Sequence, residues 1–238
     1  NVIHNCPELS DLDATVNILR HLGCTVRREN DTVTVDSSVI TQNGIPDDLM
    51  REMRSSVIFL GAILSRTGEV TLSTPGGCEI GLRPIDIHLD GIEKLGAEVL
   101  SEYGLVKCRT NGRLHGTKIN LSFPSVGATE NIMIAAATAD GVTVITNAAR
   151  EPEISDLADF LNRGGARIAG AGESTIVIEG VRELTGAEHT VIPDRIVAAS
   201  YLAAAACTGG SVELTNVIPA HLEPVLNVSE ESGCRVDV

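Results

Sequence analysis

Residues 154–178 read ISDLADFLNRGGARIAGAGESTIVI. Ile154, Leu157, Ala158 and Leu161 recur at the i, i+3, i+4, i+7 spacing that lines apolar side chains along one helix face. Gly164-Gly165 follows, and a glycine just past the last turn can take the left-handed conformation that closes a helix. Ala166 to Ala169 and Thr175 to Ile178 then read as two short strands around Gly170-Ala171-Gly172, a hairpin. The Gly-Ala-Gly sits in that turn rather than opening a helix, so it is no dinucleotide fingerprint.

The same pattern recurs along the chain. Leu22-Gly23-Cys24, Leu95-Gly96-Ala97 and Ser232-Gly233-Cys234 each close a helical stretch, at intervals of about seventy residues. Leu12, Val16 and Leu19 form one upstream stripe. Ile85, Leu89 and Ile92 form another, with Asp90, Glu93 and Lys94 on the opposite face. Hairpins follow: Thr25-Val26 with Thr32 to Val35 around Asn30-Asp31, and Glu98 to Leu100 with Leu105 to Cys108 around Tyr103-Gly104.

A second kind of helix precedes each unit. Arg54 to Ser65, Ile132 to Ala139 and Ile196 to Cys207 are apolar nearly all round and rich in small residues, so they are expected to be buried. Each leads into a short strand: Glu69 to Leu72, Val142 to Thr146 and Ser211 to Thr215. The unit is buried helix, strand, outer helix, strand, strand. Val2 to Asn5 matches its first strand, so the first copy lacks a buried helix. Complete copies run from about Asp47 to His115 and from Ser125 to Gly180, and a further copy begins near Ile192. The expected class is α/β (α+β), with a first domain over 1–190 and a second over 191–238. Glu183 to Thr190 is expected to be the linker between them.

Composition narrows the function. A formal net charge of −14 argues against nucleic-acid binding, which needs an excess of Lys and Arg. The six cysteines show no Cys-x-x-Cys and no disulfide spacing, which suggests a reducing, cytoplasmic setting. The apolar run Ile196 to Cys207 is too short to span a bilayer. The six histidines (4, 21, 88, 115, 189 and 221) are scattered without a His-x-x-x-His pair, so no metal site is expected. Each reads as a surface or partly buried polar residue. Glu151 and Glu153 read as surface or cap residues rather than a catalytic pair.

One loop concentrates chemistry. Pro75 to Asp86 reads PGGCEIGLRPID, three glycines around one cysteine, with an arginine close by. Glycines let a ligand approach the main chain, and a guanidinium near Cys78 favours a thiolate or an anion.

Five motifs in order carry a family resemblance: Met53-Arg54-Ser55-Ser56, PGGCEIGLRPID, SVGATENIM from Ser125 to Met133, NAAREPEI from Asn147 to Ile154, and PDRI from Pro193 to Ile196. Together they closely resemble the UDP-N-acetylglucosamine 1-carboxyvinyltransferases of the enolpyruvyl transferase family, along essentially the whole chain. The resemblance implies a repeated inside-out α/β barrel with buried inner helices and outer sheets. It also implies transfer of the enolpyruvyl group of phosphoenolpyruvate to the 3-hydroxyl of UDP-N-acetylglucosamine, releasing phosphate, in peptidoglycan precursor synthesis. That reaction uses no cofactor and no metal, and its partners are those two substrates, with no nucleic acid and no membrane.

By the same resemblance Cys78 is the loop proton donor, open to alkylation by fosfomycin. Arg54, Arg83, Pro84, Ile85, Asp86 and Ile87 bind the nucleotide sugar. So do Ser125, Val126 and Gly127. Asp194 matches a family aspartate near the cleft, and it also reads as a helix N-cap. Phe123 stands where many relatives carry a lysine, which removes one ionic contact to the diphosphate.

The sister enzymes that act on shikimate 3-phosphate share the architecture and lack the cysteine loop. A non-catalytic nucleotide-sugar-binding paralogue would keep the fold and lose the chemistry, and retention of Cys78 argues against it. The family's Lys-Asn pair would precede Asn1, and further second-domain residues would follow Val238. On that ground the chain is expected to be part of a longer polypeptide and inactive alone.

Overall fold

Every hairpin of the repeat becomes a four-stranded sheet in the computed structural model, which describes residues 1–73 and 84–238. In chain order the elements begin with β1 (Val2–His4), α1 (Ser10–His21), β2 (Thr25–Glu29), β3 (Thr32–Asp36), β4 (Gly44–Ile45) and α2 (Asp47–Glu52). A 3-10 turn over Arg54–Ile58 leads into α3 (Phe59–Thr67) and β5 (Glu69–Ser73). Then come α4 (Asp86–Lys94), β6 (Glu98–Glu102), β7 (Leu105–Arg109), β8 (Lys118–Asn120), α5 (Val126–Ala136) and β9 (Val142–Thr146). The first of two compact units, Asn1–Thr190, ends with α6 (Pro152–Arg163), β10 (Arg167–Ala169), β11 (Thr175–Glu179) and β12 (Glu188–Thr190). The second unit, Val191–Val238, holds α7 (Arg195–Thr208), a 3-10 turn over Pro219–His221 and α8 (Glu223–Glu231).

The three sheets share one order: β12-β1-β3-β2, β4-β5-β7-β6 and β8-β9-β11-β10. In each, the first pair is parallel and the others antiparallel. In the second and third sheets a helical crossover joins the parallel pair, as parallel pairing requires. The parallel strand at the edge of each sheet was not legible in the sequence. β4 and β8 have only two and three residues, too few for an alternating pattern to show.

β12 corrects the expected linker. Within 183–190, Glu188, His189 and Thr190 pair in parallel with Val2, Ile3 and His4, so the end of the first unit completes its first sheet. Glu-His-Thr carries no apolar signal beyond its own length, and its partner strand lies far away in sequence.

The outer helices α1, α4 and α6 end as their patterns predict, each followed by a glycine at positive φ (Gly23 105°, Gly96 95°, Gly165 97°). α6 buries Ile154, Ala158 and Leu161. The inner helices α3 and α5 pack together in the main core, where Leu60, Leu64, Ile132 and Met133 are almost wholly excluded from solvent. Burying each such side chain stabilises the fold by about 1.5–3 kcal/mol. Two glycines set how close the helices come. A Cβ on Gly61 would lie 2.5 Å from the backbone oxygen and the Oδ1 of Asn131, and one on Gly91 would lie 2.3 Å from Ile132 Cδ1.

Four further expectations are corrected. The inner helix predicted from Ile132 begins at Val126, because Ser125 caps it by accepting the Ala128 N–H on Oγ. The predicted helix from Arg54 starts as the 3-10 turn. In the second unit α7 forms where predicted but buries only Ala198; Ile196 and Tyr201 stay exposed, because that unit offers only α8 and a short turn to cover it. Ser211 to Thr215 forms no strand there, having no neighbouring strand to pair with. No helix among the described residues is long and apolar enough to cross a membrane.

Candidate functional site

Three chain segments meet where the 3-10 turn, α4 and α5 begin, and the sequence singled out residues on all three. Arg54 opens the 3-10 turn and is half-buried. Pro84 is exposed, Ile85 is the N-cap residue of α4, and Asp86 and Ile87 form its first turn, with Ile85 and Ile87 packed on the core. Ser125 caps α5, and Val126 and Gly127 are its first residues. Cys78 and Arg83 lie outside the described residues. Asp194 belongs to the second unit, where its Oδ1 accepts the N–H groups of Ile196 (2.8 Å) and Val197 (3.0 Å) and caps α7.

The junction is locked by a buried polar group that the sequence reading did not single out. Asn131 is fully buried on α5. Its Oδ1 accepts the Gly61 N–H at 2.7 Å, and its Nδ2 donates to the Val57 carbonyl at 3.0 Å. The same Nδ2 lies 3.1 Å from Nδ1 of His88, on α4. A buried polar side chain needs such partners, since an unpaired one costs about 1–3 kcal/mol. Asn131 thereby ties the 3-10 turn, α3 and α4 to α5.

His88 corrects the expectation that the histidines are surface or partly exposed groups; it and His189 are both buried. His189, on β12, donates from Nε2 to Asp156 Oδ1 at 2.9 Å. Burial, helped by the nearby Arg54 charge, lowers the His88 pKa from 6.5 to about 4, against a smaller opposite pull from Asp86. The imidazole is therefore neutral near pH 7. Its ring lies under the start of α5, where a Cβ on Gly127 would come 3.2 Å from Cε1 and 3.5 Å from Nε2. The signal for His88 was present as a lone polar residue in the apolar stripe of Ile85, Leu89 and Ile92, on the helix that follows the cysteine loop.

Next to Asn131 on α5, Glu130 faces the acidic residues at the start of α6. Burial pushes its carboxyl up to about 7, and Glu153 and Glu151 add repulsion.

Chemically, the junction offers a cation at Arg54 and a helix N-terminus at Ser125–Gly127. Free N–H groups at a helix start suit an anion, and a guanidinium fork suits phosphate. Phe123 beside them is exposed and apolar.

A family model described as EPSP synthase (3-phosphoshikimate 1-carboxyvinyltransferase) matches residues 1–238. UDP-N-acetylglucosamine 1-carboxyvinyltransferase 2 of Caldanaerobacter subterraneus subsp. tengcongensis is 52% identical over 236 residues, which cover 99% of this chain and 56% of the relative. UDP-N-acetylglucosamine 1-carboxyvinyltransferase 1 of Symbiobacterium thermophilum is 49% identical over 241 residues, covering 99% of this chain and 55% of the relative. The chain thus spans about half the length of the curated relatives it matches. Among solved structures, the enolpyruvyl transferase NikO from Streptomyces tendae superposes with a TM-score of 0.82 at 25% identity, covering 100% of this chain and 57% of the other.

Proposed function

The chain belongs to the EPSP synthase (3-phosphoshikimate 1-carboxyvinyltransferase) family of enolpyruvyl transferases, and from that premise we propose that it carries the acceptor-binding part of an enzyme of peptidoglycan precursor synthesis. The reaction moves the enolpyruvyl group of phosphoenolpyruvate to the 3-hydroxyl of UDP-N-acetylglucosamine and releases phosphate. The observation that carries this reading is the identity of about half of all residues, over 99% of the chain, with relatives named for that acceptor. The domains follow the same reading: residues 1–190 belong to the first domain of the family fold and 191–238 to the second.

In this reading Arg54, Arg83 and the first turn of α5 at Ser125, Val126 and Gly127 hold the diphosphate. Pro84, Ile85, Asp86 and Ile87 line the uridine. The sugar 3-hydroxyl gives up its proton to a base as its oxygen bonds to C2 of phosphoenolpyruvate, and a proton is added to C3, giving a tetrahedral adduct. The C2–O bond to phosphate then breaks, the electron pair leaves with phosphate, and a C3 proton is removed to restore the double bond. Cys78 supplies the first proton, a role that suits a thiol whose pKa nearby cations can lower. Asp194, besides capping α7, is the residue that matches a family aspartate. We assign the reaction to the cytoplasm, where such a thiol stays reduced.

The second reading is transfer to shikimate 3-phosphate, which the description of the family model names. The loop PGGCEIGLRPID disfavours it. The two are separated in a chimera in which residues 1–238 replace the matching stretch of the Caldanaerobacter relative. Incubation with fosfomycin and UDP-N-acetylglucosamine, followed by intact-mass measurement, is expected to add one inhibitor to the chimera and none to its Cys78→Ser variant. An unmodified chimera would contradict the assignment of Cys78.

A further inference from the structure

The hydrogen bonds around Asn131 determine a proton position. Gly61 N–H needs an acceptor, so the side-chain oxygen of Asn131 must face it and the amide nitrogen must face Val57 and His88. That nitrogen has two hydrogens; one goes to the Val57 carbonyl and the other points at His88 Nδ1. Nδ1 is therefore the acceptor, and the imidazole proton sits on Nε2. The Nε2 edge lies next to Gly127, at the start of α5. Among the described residues, the groups that face His88 are Arg54 from the 3-10 turn, Asp86 from its own helix, and Asn131 and Gly127 from α5.

We propose that Asn131 and His88 form a positioning pair for the acceptor site, in which Asn131 fixes the Nε2–H tautomer and His88 sets Arg54 and the first turn of α5 for a nucleotide diphosphate. The inference rests on the acceptor reading above and adds to it two residues that act through their neighbours. Its physical basis is that a neutral ring can lie beside Arg54 without repelling it, whereas an imidazolium could not. The lowered pKa of His88 is consistent with this, since it keeps the ring uncharged across the working pH range. The register is also fixed: the same amide binds the backbone of the 3-10 turn and α3 as well as His88, so a shift of α4 against either strains a buried hydrogen bond.

Two measurements test it. Spectra of the chain labelled with 15N-histidine report which ring nitrogen carries the proton, and His88→Phe identifies the signals. The expected result at pH 7 is an unprotonated Nδ1 and a protonated Nε2 for His88, unchanged down to about pH 5. A proton on Nδ1, or a titration centred near 6.5, overturns the proposal, whatever the substrate.

The second measurement uses the chimera and the KM for UDP-N-acetylglucosamine between pH 6 and 8. His88→Phe keeps an aromatic ring but cannot accept from Asn131, and is expected to raise that KM by about ten-fold with a much smaller change in kcat. Asn131→Asp still accepts from Gly61 but draws a proton onto His88 Nδ1, so its acceptor KM gains a pH dependence that the unaltered protein lacks. A loss of structure alone would not create that profile. Unchanged KM values in both variants overturn the proposal and leave the acceptor reading standing. Failure of the unaltered chimera to use UDP-N-acetylglucosamine overturns the acceptor reading and this inference with it. Should Asn131→Asp fail to fold, the tautomer measured in the unaltered chain and the His88→Phe kinetics decide.

Discussion

Two groups in the first unit, buried His88 and half-buried Glu130, pull its acid stability in opposite directions, and single substitutions should separate them. The His88 pKa falls from 6.5 to about 4 in the fold. Between those values the unfolded chain binds more protons at this site than the native one, so stability rises with pH. At 1.36 kcal/mol per pH unit the full effect is about 3 kcal/mol, lost as pH falls from 6.5 towards 4. Glu130 does the reverse. Its carboxyl rises from 4.5 to about 7, so between those values the native chain binds more protons and stability falls as pH rises, again by about 3 kcal/mol. In the unaltered protein the two contributions largely offset each other. Glu130→Gln removes the falling leg and is expected to gain about 3 kcal/mol relative to the parent as pH rises from 4.5 to 7. His88→Gln keeps an acceptor for Asn131 and is expected to gain a similar amount relative to the parent as pH falls from 6.5 to 4. Urea denaturation followed by circular dichroism at several pH values measures both differences. Differences that stay constant with pH in both variants would refute the reasoning.

Other outcomes follow from the packing. Gly91→Ala would drive a Cβ into Ile132, 2.3 Å from Cδ1, and is expected to cost about 1–3 kcal/mol; combining it with Ile132→Ala should cost less than the sum of the single changes, and strict additivity would count against the contact. Asp194→Ala removes the acceptor of two N–H groups at the start of α7 and should cost about 1 kcal/mol, read as faster hydrogen exchange at Ile196 and Val197, while Asp194→Asn should retain most of the protection. Cys108 is fully buried with its thiol pushed up to about 11, whereas Cys207 is exposed. Peptide mapping after iodoacetamide at pH 8 should find Cys207 modified before Cys108, which reacts only after denaturation; equal rates for these two would contradict the core packing.

The parts of the fold visible in the sequence were those with a local signature. Gly23, Gly96 and Gly165 marked three helix ends, because a positive φ favours glycine at that one position. The hairpins around Asn30, Tyr103-Gly104 and Gly170 were visible for the same reason, as all of these residues take positive φ. What escaped had no signature within its own length. β4, β8 and β12 exist because of partners elsewhere in the chain, and Glu188 to Thr190 is a strand only because Val2 to His4 lies beside it. At the candidate site, Arg54 and Ser125 stood out through motifs on separate segments. Asn131 lay inside one of those motifs, within an apolar helix, and its bonds to Gly61 and Val57 span about seventy residues of sequence. No pattern along a single helix can reveal such a contact.

The central claim is that this chain serves enolpyruvyl transfer to UDP-N-acetylglucosamine. The most direct measurement is phosphate release from phosphoenolpyruvate by the chimera carrying residues 1–238, with UDP-N-acetylglucosamine or shikimate 3-phosphate as acceptor and Arg54→Ala alongside. The account predicts turnover with UDP-N-acetylglucosamine that falls at least ten-fold in Arg54→Ala, and none with shikimate 3-phosphate. Turnover with shikimate 3-phosphate, or with neither acceptor in a folded chimera, would contradict it.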